Sequence, residues 1–184
     1  FGASIRAQMQ QPPGGNSPNG GLSAAFASAL GPAAFTPSLG ETFELAATEE
    51  IIYGTGARAD GGSVELLLNL CVPNTGDDGP RPLLVHIHGG GFMAGQRASC
   101  SGQQERRGVR EAAARGWVVA SIDYRLARDD PLPSARVGEL FSAVGGLGAP
   151  AQSRAFVAAA DDTLTALDYL IDRSDELTLD TSRI

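Results

Sequence analysis

Residues 83–88 read Leu-Leu-Val-His-Ile-His and residues 117–124 read Trp-Val-Val-Ala-Ser-Ile-Asp-Tyr. Short apolar runs of this kind, the second rich in β-branched residues, predict strands, the first of them buried on both faces. Between them "GQQERRGVREAAARG", Gly102 to Gly116, reads as a helix with Gly116 as its C-terminal stop. Strand, helix, strand in that order predicts a parallel crossover. Upstream, "EEIIYGTG" and "SVELLLNLCVP" read as two strands joined around "RADGG", whose Asp-Gly-Gly is turn chemistry for an antiparallel hairpin. Downstream, Phe156, Ala160, Leu164, Leu167 and Ile171 draw an apolar stripe at helical period. With Ser153 as N-cap, that stripe predicts a second crossover helix running to about Asp172. "ELTLDTSRI" then leaves the helix through a turn, where another parallel strand is expected to begin.

The chain has 184 residues, 42% hydrophobic, with 24 glycines, which fits one globular domain or part of one. The first 45 residues differ from the rest. "QPPGGNSPNGG" has the composition of an irregular segment, and Leu22 to Leu30 forms a short helical patch that either covers apolar surface or has no consequence. Residue 1 is phenylalanine, which fits either removal of a leader or a trimmed chain. An open parallel sheet of four or five strands would expose an apolar edge. The remaining strands are therefore expected from a continuation of the chain or from a second polypeptide.

Charge narrows the function classes. A formal net charge of -7 and a pI near 4.7 leave no basic stripe to neutralise a phosphate backbone, so nucleic acid is not an expected partner. No apolar run approaches the roughly 20 residues that cross a bilayer. Cys71 and Cys100 allow one pairing; they form either a disulfide or two unrelated buried thiols. A disulfide would place the protein in an oxidising compartment, secreted or periplasmic.

The candidate chemistry lies in "HGGGFMAG", which follows the strand at 83–88. Consecutive backbone N–H groups at the carboxyl end of a buried strand suit a negative oxygen. The segment lacks the Lys-Ser/Thr of a phosphate-binding P-loop and the G-x-G-x-x-G spacing of a dinucleotide site. His86 and His88 share the side of a strand that some metal pairs use, but no third ligand lies nearby in sequence, so structural roles are expected. Asp161 and Asp162 are expected early in their helix, where negative charge complements the macrodipole.

Four blocks in order, "VHIHGGGFMAGQ", "GWVVASIDYRLARDDPLP", "AADDTLTALDYL" and "LDTSRI", resemble the hormone-sensitive-lipase and carboxylesterase branch of the α/β-hydrolases. The resemblance covers about Glu50 to Ile184. It implies an α/β fold, a mostly parallel sheet with an antiparallel N-terminal hairpin and helices on both faces, with residues 46–184 as the N-terminal half of the domain. It further implies hydrolysis of carboxylic esters through an acyl-enzyme and a Ser-His-Asp triad, without cofactor or metal. By motif position Gly90 and Gly91 would donate backbone N–H bonds to the oxyanion, with His88, Gly89 and Phe92 supporting the loop. Asp123 and Arg125 would brace the strand end, although Arg128 and Asp129 replace the usual Pro-Glu after "YRLA".

A G-x-S-x-G elbow is absent from these residues: Ser121, Ser134, Ser142 and Ser153 lack the flanking glycines. The resemblance implies a nucleophile roughly five to eight residues past Ile184, with acid and base later, so neither His86 nor His88 is the expected base. About twenty residues at 136–155, with Gly145, Gly146 and Gly148 as hinges, exceed the usual link and form either a pocket rim or a surface loop. Two other functions fit the same resemblance: an amidase or deacetylase, and a catalytically inactive α/β-hydrolase fold that binds a ligand or a partner.

Overall fold

The computed structural model describes residues 36–37, 40, 42–76, 79–100 and 107–184. The predicted helical patch at 22–30, nearly all of the lead-in before it and after it, and the first turn of the helix predicted from Gly102 lie outside these residues. Four strands, numbered in chain order, form one sheet among them: β1 (Leu45–Ala57), β2 (Ser63–Pro73), β3 (Leu83–Ile87) and β4 (Val118–Ile122). Their spatial order is β1-β2-β4-β3. β1 and β2 form the antiparallel hairpin, β2 pairs antiparallel with β4, and β4 runs parallel to β3. The hairpin closes as expected on Asp60, Gly61 and Gly62: Arg58 N donates to Gly62 O at 2.9 Å, and Asp60 accepts from Gly62 N at 2.9 Å.

Helix α1 (Arg107–Ala114) makes the parallel crossover from β3 to β4, and Gly116 turns the chain out of it at a φ of 103°. A short helix α2 (Gly138–Ala143) precedes the long α3 (Ala151–Ile171) and the single turn α4 (Ser174–Leu177). Strand alternation sends side chains to both faces of the sheet. Leu66, Leu68, Leu70, Val118, Ala120 and Ile122 pack toward Ala166 and Leu170 of α3. Cys71 and Val119 face the other way, onto Val109 and Ala113 of α1. Every residue of β4 is buried, which makes it the centre of the described sheet.

β3 departs from its prediction: it is half-buried, and Ile87 at its end is 48% exposed. The reason is its place, since among the described residues β4 is its one strand neighbour. The chain does return to that side. Arg81 and Leu179 form a parallel bridge, and Leu83 N donates to Arg183 O at 3.0 Å.

Helix α3 corrects three expectations. Its N-cap is Pro150, not Ser153, because the preceding turn at Gly146–Gly148 delivers the chain to the helix three residues earlier. The predicted stripe is not the buried face: Phe156, Leu164 and Ile171 are 47%, 39% and 41% exposed. Ala155, Ala158, Asp162, Ala166 and Leu170 face inward instead. Asp161 and Asp162 stand in the middle of the helix rather than near its start, and both are buried. Their partner fixes the rotation of the helix. Arg125, 2% exposed, places Nε 3.0 Å and Nη2 2.6 Å from Asp162 Oδ1, and its backbone N donates to Asp162 Oδ2 at 2.8 Å. Nη2 also meets Asp161 Oδ2 at 3.3 Å, while Nη1 donates to Ala57 O and Leu132 O at 2.9 Å each. Burying the small alanines lets the helix approach closely enough for this pair to form. Orienting the apolar stripe inward would swing both carboxylates away from Arg125.

Candidate active site

The glycine loop leaves β3 at its carboxyl end, and each carbonyl in it is held. His88 is almost wholly buried, stacked on Tyr124 with ring centroids 4.3 Å apart, and Tyr124 donates to His88 O at 2.8 Å. His88 Nδ1 lies 2.8 Å from Gly89 O; since a carbonyl only accepts, this nitrogen carries the proton. Gly90 O accepts from Met93 N at 3.2 Å and Ala94 N at 3.3 Å. Gly91 O accepts from Gln152 Nε2 at 2.8 Å. In a trans peptide the N–H points opposite its carbonyl. Gly90 N–H therefore points away from His88, and Gly91 N–H points away from the turn that binds Gly90 O. Among the described residues neither N–H has a protein acceptor.

Glycine is required here for two separable reasons. Gly91 and Phe92, at φ of 61° and 64°, are the central residues of the turn closed by Gly90 O, and two positive φ values mark a type I′ turn. Gly90 has a φ of 127°, and a Cβ on it would lie 1.8 Å from Ala94 O. Gly95 is equally confined: a Cβ there would sit 2.2 Å from His88 Nδ1 and 2.4 Å from Gly89 O. Phe92 accepts the left-handed backbone while its ring meets Tyr124 at 6.0 Å and Phe156 at 5.4 Å.

Behind the loop a polar network ties it to the sheet. Asp123, just past β4, accepts Arg97 N at 2.6 Å on Oδ1 and the Arg97 guanidinium on Oδ2. Arg97 Nε reaches Asn69 Oδ1 at 2.9 Å, and Asn69 donates to Ala98 O at 3.1 Å. Ala98 N in turn donates to Ser121 Oγ at 2.7 Å, with His86 Nδ1 2.8 Å from the same hydroxyl. Ser121 and His86 are thus committed to holding the loop's return to the sheet. Tyr53 donates to Asp123 O at 2.6 Å, and burial pushes the phenol well above its ordinary pKa, so it stays a donor. Cys71 of β2 and Cys100, at the end of this return, form a disulfide with a Cα–Cα separation of 5.9 Å. A polar cleft of about 380 Å³ lies beside this network, lined by His88, Gly95, Arg97, Asp123 and Arg128 among others. Gly90 and Gly91 are not among the residues that line it.

Asp123 and Arg125 occupy the brace positions expected of them, and Asp129 caps the turn after β4 by accepting Leu126 N at 2.8 Å. Arg97, Asn69 and Gln152 were not legible as site residues. Each acts on a segment distant in sequence, and none sits in a pattern that marks it. Residues 136–155 are largely short helices, and their junction with α3 touches the glycine loop through Gln152 and Phe156.

The BD-FAE family model matches residues 68–139, from β2 through the glycine loop and β4 to α2. Esterase LipI of Mycobacterium tuberculosis (strain ATCC 25618 / H37Rv) is 35% identical over 63 residues, covering 34% of this chain and 18% of that protein. Among solved structures, a brefeldin A esterase described as a bacterial homologue of human hormone sensitive lipase aligns over 86% of this chain and 36% of its own, at 21% identity and a TM-score of 0.47. A bacterial heroin esterase aligns over 89% of this chain and 39% of its own, at 22% identity and a TM-score of 0.43. The chain thus spans well under half the length of these proteins. The chain is similar over residues 68–139 to the BD-FAE family and, over 63 residues, to an esterase.

Proposed function

We propose that the whole protein is a serine carboxylic-ester hydrolase working through an acyl-enzyme, and that this chain supplies its oxyanion-binding loop. The observation that carries this reading is the pair of N–H groups on Gly90 and Gly91, which have no protein acceptor among the described residues, while the carbonyls of Gly89, Gly90 and Gly91 are all bonded. Donors fixed before the reaction stabilise the charge that develops on the acyl oxygen without reorganising. In this reading the triad serine, acid and base lie beyond Ile184, and the serine's strand adds parallel to the open edge of β3. The bridge between Arg81 and Leu179 and the bond from Leu83 N to Arg183 O support that placement, because they already align the chain with β3. The disulfide supports a secreted or periplasmic location, where such a bond persists.

Turnover of short-chain p-nitrophenyl esters by the full-length protein, compared with the matching p-nitroanilides, tests the assignment. Ester hydrolysis well above anilide hydrolysis is the expected result. Preference for the anilide would make the protein an amidase, and no turnover of either by folded protein would contradict the hydrolase reading.

A further inference from the structure

Two of the three glycine carbonyls are held from within their own stretch of chain, Gly89 O by His88 and Gly90 O by Met93 and Ala94. The third, Gly91 O, is held from outside by Gln152, sixty-one residues later in the first turn of α3. This tie matters because Gly91 is the least confined glycine of the turn. A Cβ on it would meet nothing nearer than Gln152 Nε2 at 3.8 Å. A residue this free can rotate the Gly91–Phe92 peptide at little cost, and that rotation would open the turn whose bonds to Gly90 O aim the Gly91 N–H.

Gln152 is itself well placed to resist such rotation. Phe156 lies one helical turn further on, on the same face of α3, and packs edge-on against Phe92. Arg154 in the same turn bonds Leu147 O, Ala149 O and the Asp130 carboxylate, so the start of the helix is anchored to the preceding turn and to the segment after β4.

We infer that Gln152 is a positioning residue: its amide holds the Gly91 carbonyl, and with it the Gly91–Phe92 peptide at the centre of the turn whose first peptide carries the Gly91 N–H, so that the turn keeps that N–H facing the oxyanion and residues 136–155 are coupled to the catalytic loop. The inference rests on the esterase reading above, and its test separates the two. Within residues 1–184, Gly91–Phe92 is the only Gly-Phe pair. Labelling the full-length protein with ¹³C-carbonyl glycine and ¹⁵N-phenylalanine therefore isolates the Gly91 carbonyl signal from every other peptide in this region. Gln152→Glu and Gln152→Leu, which remove the donor at similar size, are expected to move that signal and to lower kcat about three- to tenfold, as befits one neutral hydrogen bond, with KM within about twofold. Gln152→Lys, which restores a donor on a comparable stem, is expected to recover most of both. An unmoved carbonyl signal in folded variants overturns the tie, whether or not the protein hydrolyses esters. A moved signal with unchanged kcat, or a change confined to KM, overturns the positioning role. A wild-type protein without ester turnover contradicts the esterase reading and the positioning role together, leaving the tie to be judged by the carbonyl signal.

Discussion

Gly90 is confined twice over, by its φ of 127° and by the Ala94 carbonyl that a Cβ would strike. Gly90→Ala must therefore displace the turn that presents both N–H groups. Losing one preorganised oxyanion donor costs about 3–4 kcal/mol, so ester turnover is expected to fall by about 10²- to 10³-fold while urea denaturation changes much less. Steady-state kinetics and a denaturation curve on the same sample check this. A second residue, Asp180, bears on how the chain is delivered to the edge of β3. Bonds from Ser182 and from Arg183, whose Nη2 also reaches Pro80 O at 3.1 Å, hold its carboxyl below the ordinary value of 3.8. A lowered pKa means that this contribution is complete above the unfolded value and disappears as pH falls through the folded one. The Ser182 amide shift is accordingly expected to titrate with a midpoint below 3.8, and a midpoint at or above it would refute the arrangement.

Among elements, α3 and its brace explain both what the sequence reveals and what it conceals. Existence and order of the strands and helices follow from periodicity, and the glycine loop is legible because glycine writes backbone requirements directly into sequence. The face that α3 buries is not legible, because Phe156, Leu164 and Ile171 draw a stronger apolar stripe than the alanines beside Asp162. Only the fold brings Arg125 opposite those carboxylates and shows that an ion pair orients the helix. Removing one partner of a buried pair leaves a charge without compensation. Arg125→Met is expected to cost about 3–5 kcal/mol, read as a fall in the denaturant midpoint, and a loss below about 1 kcal/mol would contradict the role given to the brace. The disulfide closes a loop of 29 residues in sequence separation that contains the whole glycine turn. Reduction is expected to lower stability by about 3–4 kcal/mol on the chain-entropy estimate, measured by denaturation with and without a thiol reductant.

At the scale of the molecule, the described sheet runs β1-β2-β4-β3, and its two ends differ. β1 ends in a hairpin whose last carbonyl is bonded by Arg125, whereas β3 presents Ile87 half-exposed beside the loop. The free face of α3, with Leu164 and Ile171, lies open as well. A glycine loop at one margin of the described sheet fits a site completed by strands added there, which supports the proposal that the nucleophile lies after Ile184. That assignment is the central claim, and a fluorophosphonate probe applied to the full-length protein, followed by peptide mapping, tests it most directly. The account predicts stoichiometric labelling on one serine in a G-x-S-x-G sequence outside residues 1–184. Labelling on a serine within them, or none on folded protein, would contradict it.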